Sequence, residues 1–165
     1  MKIFGVTGWK NSGKTGLMER LITEFTARGL TVSSIKHAHH SFDIDHPGRD
    51  SYRHRDAGAR QVLLASRNRW ALMNELRAED EPSLGDLLKQ LSPVDLVLIE
   101  GYKRDRHPKI EAYRKETGQP LIAPEDETIV AVASDASVAI DRPVLDLNDT
   151  ASIADFIAQY LELDV

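Results

Sequence analysis

Apolar residues in this chain come in short unbroken runs, separated by stretches in which they recur at helical spacing. Lys2-Ile3-Phe4-Gly5-Val6-Thr7 is the first run and suits a buried strand. Behind it, Leu17, Met18, Leu21, Ile22 and Phe25 repeat every three or four residues, and Arg28-Gly29 supplies a stop, so the spacing predicts an amphipathic helix. Thr31 to Lys36, rich in β-branched residues, predicts a second strand. Ser51 to Gly58 reads as a short polar helix. Gln61 to Ala65 and Trp70 to Met73, joined by Ser66-Arg67-Asn68-Arg69, predict a hairpin. After the charged turn Glu79-Asp80-Glu81-Pro82, Ser83 is placed to cap a helix carrying Leu84, Leu87, Leu88 and Leu91, with Asp86 favouring its N-terminal dipole. Val94 to Ile99 is the most strand-like run and ends in Glu100-Gly101. Further strands are predicted at Lys109 to Tyr113, Ile129 to Ala133 and Val144 to Leu147. Asn148 or Asp149 then caps a last helix striped by Ile153, Phe156, Ile157, Tyr160 and Leu161.

Strands alternating with amphipathic helices predict an α/β fold with a largely parallel central sheet between helical layers, one domain over residues 1–165. The hairpin breaks the alternation and is expected to extend an edge of that sheet, which a second subunit would then cover. A length of 165 residues with 41% hydrophobic and 28% charged residues fits a folded soluble domain. A net charge of −5 argues against a general nucleic-acid surface. The absence of cysteine excludes disulfides, thiolate metal sites and thiol chemistry. No run approaches the roughly 20 apolar residues of a membrane helix. The first residues also lack the basic-then-apolar order of a secretion signal, so the expected location is the cytoplasm.

Between the first strand and the first helix stands Gly8-Trp9-Lys10-Asn11-Ser12-Gly13-Lys14-Thr15, which reads G-x-x-x-x-G-K-[ST]. A strand, a glycine-bounded loop and a helix are what phosphate binding requires. Successive backbone N–H groups curl around the anion, and the helix end adds unpaired donors and its dipole. The pattern predicts a P-loop NTPase-like three-layer sandwich, with Lys14 on the β- and γ-phosphates and Thr15 in the shell of Mg2+. Glu100, at the C-terminal end of a parallel strand, is the candidate acid facing that metal, and Gly101 lets the backbone pass close by. Asp95 lies at the wrong end. Trp9 either stacks on a ring or packs. No N-K-x-D guanine motif occurs; Asp135, just after a strand, is placed to meet a guanine edge.

Five of the six histidines (His37, His39, His40, His46, His54) cluster with Asp43, Asp45 and Asp50. An anion pocket built from Lys36, His37, His39, His40, Arg49, Asp50, Arg53 and Arg55 is one reading of the segment. A solvated loop or a metal site are the others, and no closed-site spacing such as H-E-x-x-H supports the metal. Lys103, Arg104, Arg106, His107 and Lys109 form a second basic run, suited either to phosphates or to solvent.

These residues resemble the molybdopterin-guanine dinucleotide biosynthesis protein B family. The likeness rests on Gly8 to Thr15, on Lys36-His37-Ala38-His39-His40 through Asp43-Ile44-Asp45, and on Pro47-Gly48-Arg49-Asp50-Ser51. It continues through Ala57-Gly58-Ala59, Asp95 to Lys103 and Pro108-Lys109-Ile110-Glu111, so it spans nearly the whole chain. The resemblance implies a cytoplasmic homodimer that binds GTP and Mg2+, hydrolyses GTP weakly through Lys14 and Glu100, and serves as an adapter. It implies handling of molybdopterin or its guanine dinucleotide beside a separate guanylyltransferase, MobA. Lys10 is third in the loop, not second, which departs from the signature lysine of dimer-activated P-loop ATPases. A P-loop small-molecule kinase, with the His/Arg segment as pocket for a small anionic or pterin-like acceptor, is the alternative.

Overall fold

The computed structural model of the protein describes residues 1–38 and 42–165. In chain order its elements are β1 (Lys2–Thr7), α1 (Lys14–Ala27), β2 (Val32–Lys36), α2 (Asp50–Asp56), β3 (Gln61–Ala65) and β4 (Trp70–Asn74). There follow α3 (Leu84–Leu88), β5 (Leu96–Glu100), β6 (Lys109–Tyr113), β7 (Ile129–Ser134), β8 (Val144–Asp146) and α4 (Thr150–Leu161). They divide into two compact units, Met1–His37 with Leu88–Val165, and Ala38–Leu87.

The first unit carries a six-stranded sheet in the order β2-β5-β1-β6-β7-β8. Every neighbouring pair is parallel. All five residues of β5 are buried, which is why that strand reads as a continuous apolar run with no alternation. One face is built by Phe4, Val6, Leu98, Ile110, Ala131 and Ala133, against Leu17, Leu21 and Phe25 of α1 and Ile153, Ile157 and Leu161 of α4. The stripe on α4 is rotated from its predicted centre. Ala154 and Ala158 are buried, whereas Tyr160 is 48% exposed, because small residues allow the helix to lie close. Asp149 caps that helix by accepting the Ser152 N–H at 3.0 Å.

On the opposite face beside β6 the described residues place a short 3-10 turn, Ala123–Glu125, packed with Ile129 and Val132. A parallel crossover ordinarily needs a dozen or more residues, yet β5 and β6 flank β1 and are joined by residues 101–108 alone. The register explains it: Gly5 is level with both Ile99 and Lys109, so the chain re-enters the sheet at the height where it left. It has only to step across β1, roughly two strand spacings of about 4.8 Å. His107, in this link, lies over Gly5, where an added Cβ would stand 2.5 Å from its Nε2. Lys109 and Glu111 are fully buried on that face. Lys109 donates to Asp105 O and Thr128 Oγ1, both at 2.6 Å. The Glu111 carboxylate accepts the N–H groups of Ile122 and Ala123 at 2.8–3.0 Å. Burial pushes its pKa up against the pull of those donors.

In the second unit β3 and β4 pair antiparallel with each other and with no strand of the six-stranded sheet. The expected edge extension is therefore corrected: local alternation and a tight turn specify the hairpin, whereas nothing local specifies which sheet it joins. Val62 and Met73 are buried on one side, and Leu63, Trp70 and Leu72 are exposed on the other. Ser83 caps α3 through the Asp86 N–H as expected, but the helix ends at Leu88, short of Leu91.

Candidate functional site

Three residues of the loop after β1 have positive φ: Gly8 (145°), Asn11 (65°) and Gly13 (91°). At Gly8 a Cβ would stand 2.4 Å from Ala112 O, so only glycine lets the loop turn beside β6. Gly13 is the N-cap of α1, makes no side-chain capping bond, and no acid occupies the first turn. The N–H groups and dipole of that helix end are thus left for an anion. Lys14 folds back across the loop, its Nζ donating to Trp9 O at 2.6 Å. Burial lowers the Lys14 pKa, Lys103 and Lys36 push the same way, and Glu100 opposes them. Ser12 Oγ in the loop and Thr7 Oγ1 at the end of β1 are buried with no hydrogen-bond partner among the described residues.

On the β5 side stands Glu100. The register sets it level with Val6 on one neighbour and Lys36 on the other. Its Oε1 accepts the Thr15 hydroxyl at 3.1 Å and lies 3.3 Å from Lys36 Nζ. A hydroxyl on the first helical turn and a carboxylate on the adjacent strand are hard oxygen donors, and they fit Mg2+. Asp95, at the other end of the strand, accepts from Thr31 N and Oγ1 at 2.8 and 2.6 Å and pins the start of β2. Lys36 is grouped with the histidine segment by sequence, but strand register carries it to Glu100 instead. Gly101 (φ 97°) passes so close to His37 that a Cβ would be 2.9 Å from the His37 Cβ. The His37 ring lies 4.6 Å from that of Tyr102.

On the β6 side, Trp9 is held at both ends. Its Nε1 donates to Pro120 O at 2.7 Å, and Lys103 Nζ stands 4.6 Å from its ring centroid. Trp9, Lys10, Asn11, Glu116, Thr117 and Gln119 line a cleft of about 600 Å3. Arg114 packs on the loop, with Nε 3.0 Å from where a Gly13 Cβ would be. Asp135, expected to meet a base, accepts the Lys115 N–H at 2.9 Å and so fixes the turn carrying Glu116. Sequence reasoning missed Arg114, Glu116, Thr117 and Gln119. The rule that singled out Glu100, a polar residue at the C-terminal end of a strand beside β1, marks them equally once β6 is known to be that neighbour.

The remaining expectations divide. Arg49, Asp50 and Arg53 lie in the second unit on or next to α2, all exposed, with Arg53 3.9 Å from Asp50. A cleft of about 440 Å3 is lined by Asp50, Arg53, His54, Asp56 and Ala57. Arg55 is no anion donor: its guanidinium pairs with Asp43 (3.2 Å), Glu75 (2.9 Å) and the buried Asp45. These contacts also engage Asp43 and Asp45, and no group of three metal-ligating side chains occurs among the described residues. His39 and His40 lie outside the described residues. In the second basic run Lys103 approaches the loop, whereas Arg106 pairs with Glu127 and His107 and Lys109 are buried. No described helix is long and apolar enough to cross a membrane.

Residues 3–135 match the family described as MobB, molybdopterin guanine dinucleotide synthesis protein B. The molybdopterin-guanine dinucleotide biosynthesis adapter protein of Haemophilus influenzae is 46% identical over 162 residues, covering 96% of this chain and 89% of its own. The Escherichia coli protein of the same description is 40% identical over 163 residues, 97% and 93% of the two chains. A crystal structure of a MobB protein homolog from Bacillus stearothermophilus superposes with a TM-score of 0.72 at 25% identity, covering 99% of this chain and all of that one.

Proposed function

The chain belongs to the molybdopterin guanine dinucleotide synthesis protein B family, and from that premise we propose that it is a GTP-binding adapter in molybdenum cofactor biosynthesis. In this reading it works in the cytoplasm beside the guanylyltransferase MobA and hydrolyses GTP weakly at most. One observation carries the nucleotide part: the Gly8–Thr15 loop ends on an uncapped helix, and Lys14, Thr15 and Glu100 converge on its mouth.

Each residue has a distinct task. The N–H groups of the loop and of the first turn of α1 bind the β-phosphate. Lys14 leaves Trp9 O for the β- and γ-phosphates, exchanging a neutral acceptor for a charged one, which is the stronger bond. Thr15 and Glu100 would hold Mg2+, which supplies charge neutralisation at the phosphate oxygens. Lys36 neutralises Glu100 from the β2 side and raises the positive potential over the mouth. Arg49 and Arg53, exposed in the second unit, are proposed contacts for the phosphate of a pterin. A homodimer is proposed on the apolar side of the hairpin, where Leu63 is 61% and Trp70 67% exposed, a surface suited to a second copy.

The test is GTP titration calorimetry with Mg2+ and with chelator, for the parent protein and Glu100→Gln. We expect the variant to lose affinity in Mg2+ and little in chelator, because one carboxylate charge on the metal is removed. Equal losses in both would make Glu100 a structural residue. Phosphorylated pterin recovered from GTP and pterin would instead identify a small-molecule kinase.

A further inference from the structure

The cleft on the β6 side shares Trp9, Lys10 and Asn11 with the loop, and its other lining residues, Glu116, Thr117 and Gln119, take no part in holding phosphates or metal in the reading above. Its walls are chemically unlike each other. One is the flat indole of Trp9, which cannot turn freely because Pro120 O holds its Nε1 and Lys103 sits on its ring. The other is the 115–119 turn, which contributes Glu116, Thr117 and Gln119 to the lining. That turn is itself pinned: Asp135 accepts the Lys115 N–H at 2.9 Å, and Thr117 Oγ1 donates to Arg114 O at 2.8 Å. The Glu116 carboxylate lies 3.7 Å from Arg114 Nη1, a long contact that leaves its oxygens able to accept from a ligand. A volume of about 600 Å3 is of the size that accommodates a fused two-ring heterocycle with part of its substituent.

From this juxtaposition we infer that the cleft reads the 2-amino-4-oxopyrimidine edge of a fused heterocycle, the edge that guanine and pterin share, with Glu116 as its reader. That edge offers a ring N–H and an exocyclic amino group side by side, which a carboxylate accepts together, and a carbonyl oxygen suited to the Gln119 amide donor. Trp9 supplies an apolar flank. Adenine is rejected for a physical reason: it turns a ring nitrogen lone pair toward the carboxylate, and a site built to receive N–H groups strongly disfavours a ligand lacking them. Asp135 acts as a positioning residue through Lys115. The inference rests on the nucleotide reading for the guanine source only; a pterin would enter the cleft by itself.

The experiment uses the full chain and four probes by calorimetry: GTP, ATP, inorganic tripolyphosphate and pterin-6-carboxylate. The proteins are the parent, Lys14→Ala, Glu116→Gln and Gln119→Ala, each checked by its thermal transition. If the cleft takes the base, Glu116→Gln should lower the preference for GTP over ATP roughly tenfold, the scale of one charged hydrogen bond, with tripolyphosphate unchanged. If it takes a separate pterin, pterin-6-carboxylate should bind in the presence of saturating GTP, and Glu116→Gln should weaken the pterin alone. Either result supports the assignment, and Gln119→Ala should move the same probe less. Unchanged affinities for GTP and pterin in a folded Glu116→Gln protein would overturn it. Failure of the phosphate site has a different signature, a parent protein that ignores tripolyphosphate or a Lys14→Ala protein that binds it normally.

Discussion

Two charge clusters, one in each compact unit, are built in opposite ways. In the first, cations converge where anionic partners are few. Lys103 and Lys36 both bear on Lys14 at the mouth of the loop, and Glu100 is the carboxylate that opposes them there. In the second, a single cation is surrounded: Arg55 is met by Asp43, Asp45 and Glu75. An excess of one sign over an uncapped helix end is the mark of a ligand site, whereas a matched cluster is the mark of structure. Arginine and aspartate in one polar segment therefore say little until their pairing is known. The cores differ too. Among the described residues Val62, Met73 and Leu84 are the buried large apolar side chains of the second unit, while the first packs two helices on a six-stranded sheet.

The largest expected effect breaks the comparison at its ligand side. Lys14→Ala should weaken GTP binding by roughly 10- to 150-fold, the range of a hydrogen bond to a charged group, with an unchanged thermal transition. Calorimetry and a melt measure both; undiminished affinity would remove the phosphate site from the first unit.

The structural side is broken by Arg55→Ala. Hydrogen bonding to Arg55 holds the Asp45 carboxyl below the usual carboxylate range. A carboxyl depressed on folding contributes stability above its unfolded pKa of about 3.9, which is lost as pH falls through the lower folded value. We expect amide hydrogen exchange in residues 42–56 to quicken in the variant at pH 7, with the acid-dependent part of its protection gone and GTP affinity little changed. A matching fall in GTP affinity would erase the contrast between the units.

The smallest effect sharpens the contrast within the first unit. Burial holds the His107 imidazole down, to about 4, with Lys109 adding to the shift and Asp105 and Asp126 opposing it. The unfolded chain takes up this proton near pH 6.5, so the stability owed to neutral His107 is present above 6.5 and drains away between there and 4. His107→Leu should flatten the dependence of the first unit's melting temperature over that window. An unaltered slope would mean another group sets it.

Nearly every element of the fold was legible as a pattern. The β1–loop–α1 segment was also legible as chemistry, because its spacing, glycines and lysine act within fifteen residues and need no distant partner. Glu100 was found by a rule about strand ends that holds for any parallel sheet. Three other assignments depended on which strands become neighbours. Lys36 belongs with Glu100 because β2 lies beside β5. Trp9 faces the 115–119 turn because β6, and no other strand, takes the far side of β1. His107 and Lys109 are buried because the link from β5 to β6 crosses the sheet at one height. Sequence alone thus determined where the chain bends and where a glycine-bounded loop joins strand to helix, since those properties are local. Tertiary structure decided which charges meet, because strand order and register bring together residues that no local pattern connects.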